Sequence, residues 1–167
     1  MTIIICPGVH PPELTDRFVR SLELQNYLVL PTQSYLPYNA IAVYQWLERQ
    51  QLSNQPLSFI AFSAGVVGGF GAALAWQLQG GKIHSFIAFD GWGVPLVANF
   101  PIYRVSHDYF THWSSAILGA GTGFYVEPPV EHLELWRSPI SYGWRVISPG
   151  CKTRDILNNY LVDVLNS

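Results

Sequence analysis

One stretch of the sequence decides the fold: residues 57–65, which read LSFIAFSAG. The largely apolar run up to Phe62 predicts a β-strand buried on both faces, and residues 64–79 predict a helix that begins without an intervening loop. The chain therefore has to turn sharply at Ser63. We expect this turn to strain the serine backbone and to hold its hydroxyl at the carboxyl end of the strand.

Short apolar runs alternate with helix-period segments along the rest of the chain, which is typical of a parallel sheet with crossover helices. Residues 128–145 are predicted to form mainly loop, with one short helical turn. The sequence therefore predicts a single domain over residues 1–167, a three-layer α/β/α sandwich around a mostly parallel sheet of about six strands. Strands are predicted at 2–6, 27–30, 57–62, 83–89, 102–105 and 124–127, and helices at 13–25, 40–52, 64–79, 111–118 and 152–165.

The composition excludes several classes of function. Hydrophobic residues make up 49% of the chain and charged residues 12%, which is too apolar for a disordered protein. A net charge of -2 without a basic run argues against a nucleic-acid partner. No apolar stretch of about 18 residues predicts a membrane span, and residues 1–6 lack the basic segment of a signal peptide. Cys6 and Cys151 are too few for a disulfide framework, so we predict reduced thiols and a cytoplasmic location.

Residues 61–65, AFSAG, resemble the nucleophile elbow of the α/β-hydrolase superfamily, whose pattern is Gly-x-Ser-x-Gly. Ala61 replaces the first glycine of that pattern. The predicted strand before Ser63 and the glycine-rich helix after it extend the resemblance to the local structure. The resemblance implies a minimal α/β-hydrolase fold without a cap domain. It also implies that Ser63 is the nucleophile of a serine hydrolase, which cleaves an ester or related acyl bond of a small molecule through an acyl-enzyme and needs no cofactor.

An acyl-transfer site also needs hydrogen-bond donors for the oxyanion. The Ala64 N–H lies at the start of the predicted helix, which makes it a natural donor. By resemblance, the second donor comes from the loop after the first strand, residues 7–12, which read PGVHPP. We carry this role over to the Val9 N–H, and we expect His10 to line the mouth of the site.

The resemblance further implies a chain order of serine, then acid, then histidine. Asp108 follows the fifth predicted strand and His132 follows the sixth, so we predict that they are the acid and the general base that serve Ser63. Asp90 directly follows the fourth predicted strand and is the alternative acid. A metal on Asp108 and His112, which are four residues apart, would need a further ligand that the spacing does not offer, so no metal is predicted.

Aromatic residues are frequent after the predicted strands, where ligands bind in open α/β folds. We predict that Trp92, Tyr109 and Trp136 line an apolar pocket over Ser63. The same rings could instead form core or an aromatic surface for a homodimer. This second interpretation leads to an alternative function, a non-catalytic α/β-hydrolase-like binding or scaffold protein that uses its aromatic loops.

Overall fold

A mixed sheet organises the protein. The computed structural model describes residues 1–52, 55–119 and 122–167, and these residues form eight strands and six helices. The strands are β1 (Thr2–Cys6), β2 (Tyr27–Val29), β3 (Leu57–Phe62), β4 (Ile83–Phe89), β5 (Ile102–Ser106), β6 (Gly123–Val126), β7 (Tyr142–Ser148) and β8 (Cys151–Ile156). The helices are α1 (Pro12–Ser21), α2 (Ala40–Arg49), α3 (Ala64–Leu78), α4 (Tyr109–Ala116), α5 (His132–Arg137) and α6 (Leu157–Asn166).

The strand order is β2-β1-β3-β4-β5-β6-β7-β8. Neighbouring strands from β2 to β6 are parallel, and β7 and β8 add antiparallel pairs. β2 lies on one side of β1 and β3 lies on the other, so the loops that leave β1 and β3 diverge. A crevice at the carboxyl ends of the strands is expected at such a reversal of strand order.

Alternate side chains of the central strands fill two separate cores. In β1, Ile3 and Ile5 face one core, and Ile4 and Cys6 face the other. The first core also holds apolar side chains of α1, α5 and α6, and the second holds those of α2 and α3. The predicted α/β class with a mostly parallel sheet is confirmed, and helices pack on both faces.

The sheet is larger than the predicted six strands because β7 and β8 were not predicted. Residues 128–145 were expected to form mostly loop, but β7 begins at Tyr142. The terminal helix was expected from residue 152, but Cys151–Ile156 form β8 and the helix begins at Leu157. Residues 151–154 of β8 are exposed, so no apolar alternation shows the strand in the sequence. The Pro149-Gly150 pair between the two strands is the turn signal that could have shown the hairpin.

Helix α3 is apolar around most of its circumference because it packs between the sheet and α2. A Cβ on Gly65 would lie under 3.0 Å from the Cys6 carbonyl oxygen, and one on Gly71 would clash equally with Ala40 at the start of α2. Its glycines therefore let α3 approach both neighbours closely. Within residues 1–52, 55–119 and 122–167, no helix has the length and apolar character needed to cross a membrane.

Candidate active site

Ser63 forms the turn between β3 and α3. Its backbone has φ 53° and ψ -119°, a left-handed conformation that costs a non-glycine residue about 1–3 kcal/mol. The Ser63 N–H donates to the Phe89 carbonyl oxygen at 2.9 Å, which fixes the turn to the end of β4. The sharp strand–helix turn expected from the sequence is therefore present, and it places Ser63 at the carboxyl ends of the strands.

Two backbone N–H groups near Ser63 were predicted as oxyanion donors. Ala64 is the first residue of α3, so its N–H has no partner inside the helix. The loop after β1 passes beside the serine, since a Cβ on Gly8 would lie 3.2 Å from the Ser63 Cβ. In the part of the chain that the structure describes, neither the Val9 N–H nor the Ala64 N–H donates to a protein acceptor. Both groups therefore remain free for a ligand.

Asp90 accepts hydrogen bonds from two histidines. Its side chain is 2% exposed, and its Oδ2 lies 2.7 Å from His132 Nδ1 and 2.9 Å from His107 Nδ1. Its Oδ1 accepts from the His107 backbone N–H at 3.0 Å. Because an ionised carboxylate only accepts, each imidazole carries its proton on Nδ1 in these hydrogen bonds. A neutral His132 then has a free lone pair on Nε2, which is the form a general base needs.

The charges within this group are coupled. Burial alone would raise the pKa of Asp90, but the hydrogen bonds from His107 and His132 outweigh it and hold the pKa below its ordinary value. The hydrogen bond to Asp90 raises the pKa of His107 against the lowering effect of burial. Asp90 is therefore an anion at neutral pH, and His107 is the imidazole that gains a proton more readily than usual.

The structure pairs His132 with the alternative acid Asp90 and not with Asp108, so the predicted Asp108–His132 pairing is wrong. Asp108 precedes α4, and its Oδ1 caps that helix by accepting from the Thr111 N–H at 2.7 Å. Its Oδ2 lies 3.6 Å from His107 Nε2. The prediction failed because strand order alone did not show that the Asp108 side chain is used by its own helix.

Ser63 shares one cavity with the Asp90–histidine group. The cavity has a volume of about 530 Å³, and Ser63, Asp90, His107 and His132 all line it. Apolar side chains form much of the remaining wall, from Val67, Trp92, Val94 and Phe110. Among the described residues, no hydrogen bond joins the Ser63 hydroxyl to either imidazole. The space over the serine is open rather than filled by a side chain.

One buried arginine supports the cavity wall. Arg104 is 1% exposed and donates to the carbonyl oxygens of Gly91 and Val94 at 3.2 and 2.8 Å. It also donates to the Gly119 carbonyl oxygen at 2.8 Å, just beyond the end of α4. Burial lowers the pKa of Arg104 to about 10, which still leaves it charged at neutral pH. Arg104 thus holds the loop after Asp90 against the end of α4.

Of the four predicted pocket residues, Trp92 alone lines this cavity. Trp136 is fully buried and stacks on Phe18 with ring centroids 3.8 Å apart, so it belongs to the core. Tyr109 points into a neighbouring cavity with Lys152. His10 lines a smaller cavity beside the loop after β1. The three predictions were wrong because nearness to a strand end in sequence does not show which way a side chain points.

Sequence reasoning missed His107 as a member of the site. His107 is the first residue after β5, so its position at the carboxyl end of a parallel strand was the available signal. Asp108 follows the same strand, and position in the sequence does not show which of the two adjacent side chains lines the cavity. The missed apolar wall at Val67 of α3 gave no comparable signal, since an apolar helix residue there resembles core.

Asp90, His107 and His132 are also residues that could hold a metal ion. One ligand atom from each lies within 4.8 Å of the other two. Their arrangement thus allows two kinds of chemistry: proton transfer at a serine, or coordination of a cation.

Comparison with known protein families and with curated proteins finds no match to this chain.

Proposed function

We propose that this protein is a serine hydrolase that cleaves an ester or related acyl bond of a small molecule through an acyl-enzyme. One observation carries the proposal: Ser63, in strained backbone geometry between β3 and α3, opens into the same cavity as the His132–Asp90 pair. Both features are needed, because the serine requires a base to accept its proton, and the histidine–carboxylate pair requires a nucleophile that it can activate.

In the proposed reaction, the Ser63 hydroxyl oxygen attacks the acyl carbon while His132 Nε2 accepts its proton. Asp90 holds the His132 Nδ1 proton and stabilises the imidazolium that forms. The Ala64 and Val9 N–H groups donate to the oxyanion. The C–O bond to the leaving group then breaks, and His132 returns the proton to the leaving alkoxide. Water, activated by His132 in the same way, releases the acid and restores Ser63.

The Ser63–His132 contact is expected to form when substrate binds. Catalytic hydrogen bonds are often long or unaligned in a free enzyme and tighten in the complex. His132 is the first residue of α5, and its side chain is 43% exposed, so its ring has room to turn toward the serine. Phe62 stacks on the ring with centroids 4.7 Å apart and packs against one of its faces.

The cavity favours a small substrate with an apolar acyl or alcohol group. Its volume of about 530 Å³ falls within the usual range for small-molecule sites. Beyond the Asp90–histidine group, its lining carries no charged side chain among the described residues. The strand order and the strained serine turn also support the minimal α/β-hydrolase fold that the sequence resemblance implies.

Labelling with a fluorophosphonate tests the proposal, because this reagent reacts with activated serines. We expect the wild-type protein to be labelled at Ser63 and Ser63→Ala to lose labelling. Ser34→Ala is the matched control, since Ser34 is an exposed loop serine outside the cavity, and it should label like the wild type. Equal labelling of wild type and Ser63→Ala would overturn the proposal and favour the non-catalytic binding protein.

A second measurement tests whether His132 is the general base. With p-nitrophenyl acetate as substrate, His132→Gln should lower kcat/KM by about 10²–10⁴, the usual cost of removing a triad member. His84→Gln is the matched control, because His84 lies at the start of β4 and does not line the cavity. A His132→Gln variant with wild-type kcat/KM would remove His132 from the mechanism.

A further inference from the structure

The Asp90–histidine cluster offers three ligands of the kinds that borderline transition metals prefer. Zn²⁺ binds imidazole nitrogen and carboxylate oxygen, whereas Mg²⁺ and Ca²⁺ take mostly oxygen ligands. Asp90 Oδ2 lies close to both His107 Nδ1 and His132 Nδ1, and one ligand atom from each of the three residues falls within 4.8 Å of the other two. Two imidazoles and one carboxylate leave at least one position for water from the adjoining cavity.

The present spacing of these atoms is that of hydrogen bonds, and it is shorter than the spacing of ligands around a metal. The two N···O distances are 2.7 and 2.9 Å. Ligands on a tetrahedral zinc, about 2.0–2.1 Å from the metal, lie roughly 3.3 Å apart. An outward shift of about 0.5 Å in each ring is therefore required. Both imidazoles are partly exposed at the cavity, with His107 25% and His132 43% exposed, so neither ring is fully enclosed by packing.

A second carboxylate, that of Asp108, lies near the outer ring nitrogen of His107. Asp108 Oδ2 lies 3.6 Å from His107 Nε2, the ring nitrogen that does not face Asp90. Carboxylates commonly accept the outer N–H of a metal-bound histidine, which orients the ring and strengthens its donor nitrogen. Asp108 thus places a second carboxylate beside the cluster.

Metal binding changes which nitrogen of His132 carries the proton. In the hydrogen-bonded cluster, His132 holds its proton on Nδ1 and offers the Nε2 lone pair to the cavity. A metal that binds Nδ1 needs the lone pair of Nδ1, so a neutral ring then carries its proton on Nε2. The nitrogen that would accept the Ser63 proton then becomes a donor. Metal coordination and general-base catalysis by His132 are therefore mutually exclusive.

We propose that Asp90, His107 and His132 form a binding site for Zn²⁺ or a chemically similar divalent transition metal, and that the bound metal inhibits the hydrolase by taking His132 out of the reaction. The binding step stands on the cluster alone, whereas the inhibition step rests on the proposed function. The metal replaces the two Nδ1 protons, which move to Nε2 or, from an imidazolium, to solvent.

Titration calorimetry with Zn²⁺ alone tests the binding step. The background is Cys151→Ser, because Cys151 is exposed and its thiol could bind zinc by itself. We expect one zinc site per chain in this background and in Ser63→Ala. Asp108→Asn keeps the helix cap and should weaken binding about tenfold, the lower limit for an outer-shell partner. His107→Asn removes a ligand and should weaken binding by at least about 100-fold.

Fluorophosphonate labelling with and without zinc tests the inhibition step. One equivalent of Zn²⁺ should suppress labelling of the Cys151→Ser protein, and EDTA should restore it. The same zinc should leave the residual labelling of His107→Asn unchanged. Because His107 supports Asp90, circular dichroism and the parallel variant His107→Gln check that the loss of zinc binding does not come from unfolding.

Two results would overturn the metal proposal: no zinc binding to the Cys151→Ser protein at 100-fold excess, or unchanged affinity in both folded His107 variants. If zinc binds but labelling continues, the inhibition step fails and the site remains. If the zinc-free protein is never labelled at Ser63, the proposed hydrolase function fails, and calorimetry still decides the metal site by itself.

Discussion

At the scale of single residues, Asp90 does more than orient one imidazole. Its buried Oδ2 is shared by His107 and His132, so each histidine receives less than the full electrostatic support of the carboxylate. Asp90 has a left-handed backbone, with φ 47°, and its side chain contacts His107 and His132. An acid at this position, directly after β4, therefore reaches a histidine that follows β6.

The assignment of the acid predicts opposite results for two aspartates. Asp90→Asn should lower kcat/KM for p-nitrophenyl acetate by about 10²–10⁴, because the amide NH2 cannot accept a hydrogen bond as the second carboxylate oxygen does, and the amide favours the wrong His132 tautomer. Asp108→Asn should leave kcat/KM nearly unchanged, since asparagine also caps helices well. The reverse ranking in steady-state kinetics would restore Asp108 as the acid.

At the scale of elements, the site depends on how closely α3 approaches β1. Gly65 at the start of α3 meets the Cys6 and Pro7 carbonyl oxygens, and Gly69 one turn later meets the Cys6 side chain. The loop that carries the Val9 N–H follows directly from these residues. Packing between a strand and a helix thus sets the distance between the two predicted oxyanion donors.

Substitution of these two glycines should give graded results. Gly65→Ala places a methyl group under 3.0 Å from two backbone oxygens, which cannot move away as a side chain could. We expect a loss of about 1–3 kcal/mol in the free energy of unfolding, measured by urea denaturation, and reduced fluorophosphonate labelling.

Gly69→Ala is the matched control for this experiment. Its added Cβ would lie 3.1 Å from Cys6 Sγ, a tight contact that small shifts relieve. Replacing a helical glycine gains up to about 1 kcal/mol, which offsets the crowding. Similar losses of stability in both variants would show that the close approach at Gly65 is not decisive.

At the scale of the whole molecule, stability in acid is limited by a buried histidine outside the catalytic cavity. His112 of α4 is 5% exposed and packs on Tyr125 with ring centroids 5.3 Å apart, and its Nδ1 has no hydrogen-bond partner among the residues that the structure describes. Burial, together with the smaller effect of the Arg104 charge, lowers the pKa of His112 from 6.5 to about 4. His112 is therefore neutral in the folded protein down to mildly acidic pH.

The sign of the resulting pH dependence follows from which state binds protons first. As the pH falls from 6.5 toward about 4, His112 is protonated in the unfolded chain but not in the folded one, so folding stability is lost. Between pH 7 and pH 5 this histidine should cost about 2 kcal/mol, at about 1.4 kcal/mol per unit below 6.5. Urea denaturation at both pH values measures the loss.

His112→Gln should remove this part of the acid sensitivity, and His84→Gln should retain it. The comparison between variants isolates His112 from the other groups that titrate in the same range. If the wild type and His112→Gln lose the same stability between pH 7 and pH 5, His112 is not the source of the acid sensitivity.

The sequence was most informative where structure is set locally. The Ser63 turn was predictable because a buried strand, a serine and a helix are adjacent, and no distant residue is needed to force the turn. The acid was not settled, because the choice between Asp90 and Asp108 depends on where side chains from separate strands meet. The β7–β8 hairpin was missed because residues 151–154 of β8 are all exposed, so burial leaves no periodic trace in that strand.

The two edge strands determine whether the sheet can pair with a strand of another copy of the protein. An edge strand presents unpaired backbone groups that can recruit a strand of another chain. β2, at one border, has three residues. β8, at the other, is mostly exposed and carries Lys152, Arg154 and Asp155. A short edge strand and a charged edge strand both disfavour pairing with another chain. We therefore expect the protein to resist the formation of intermolecular β-sheet fibrils.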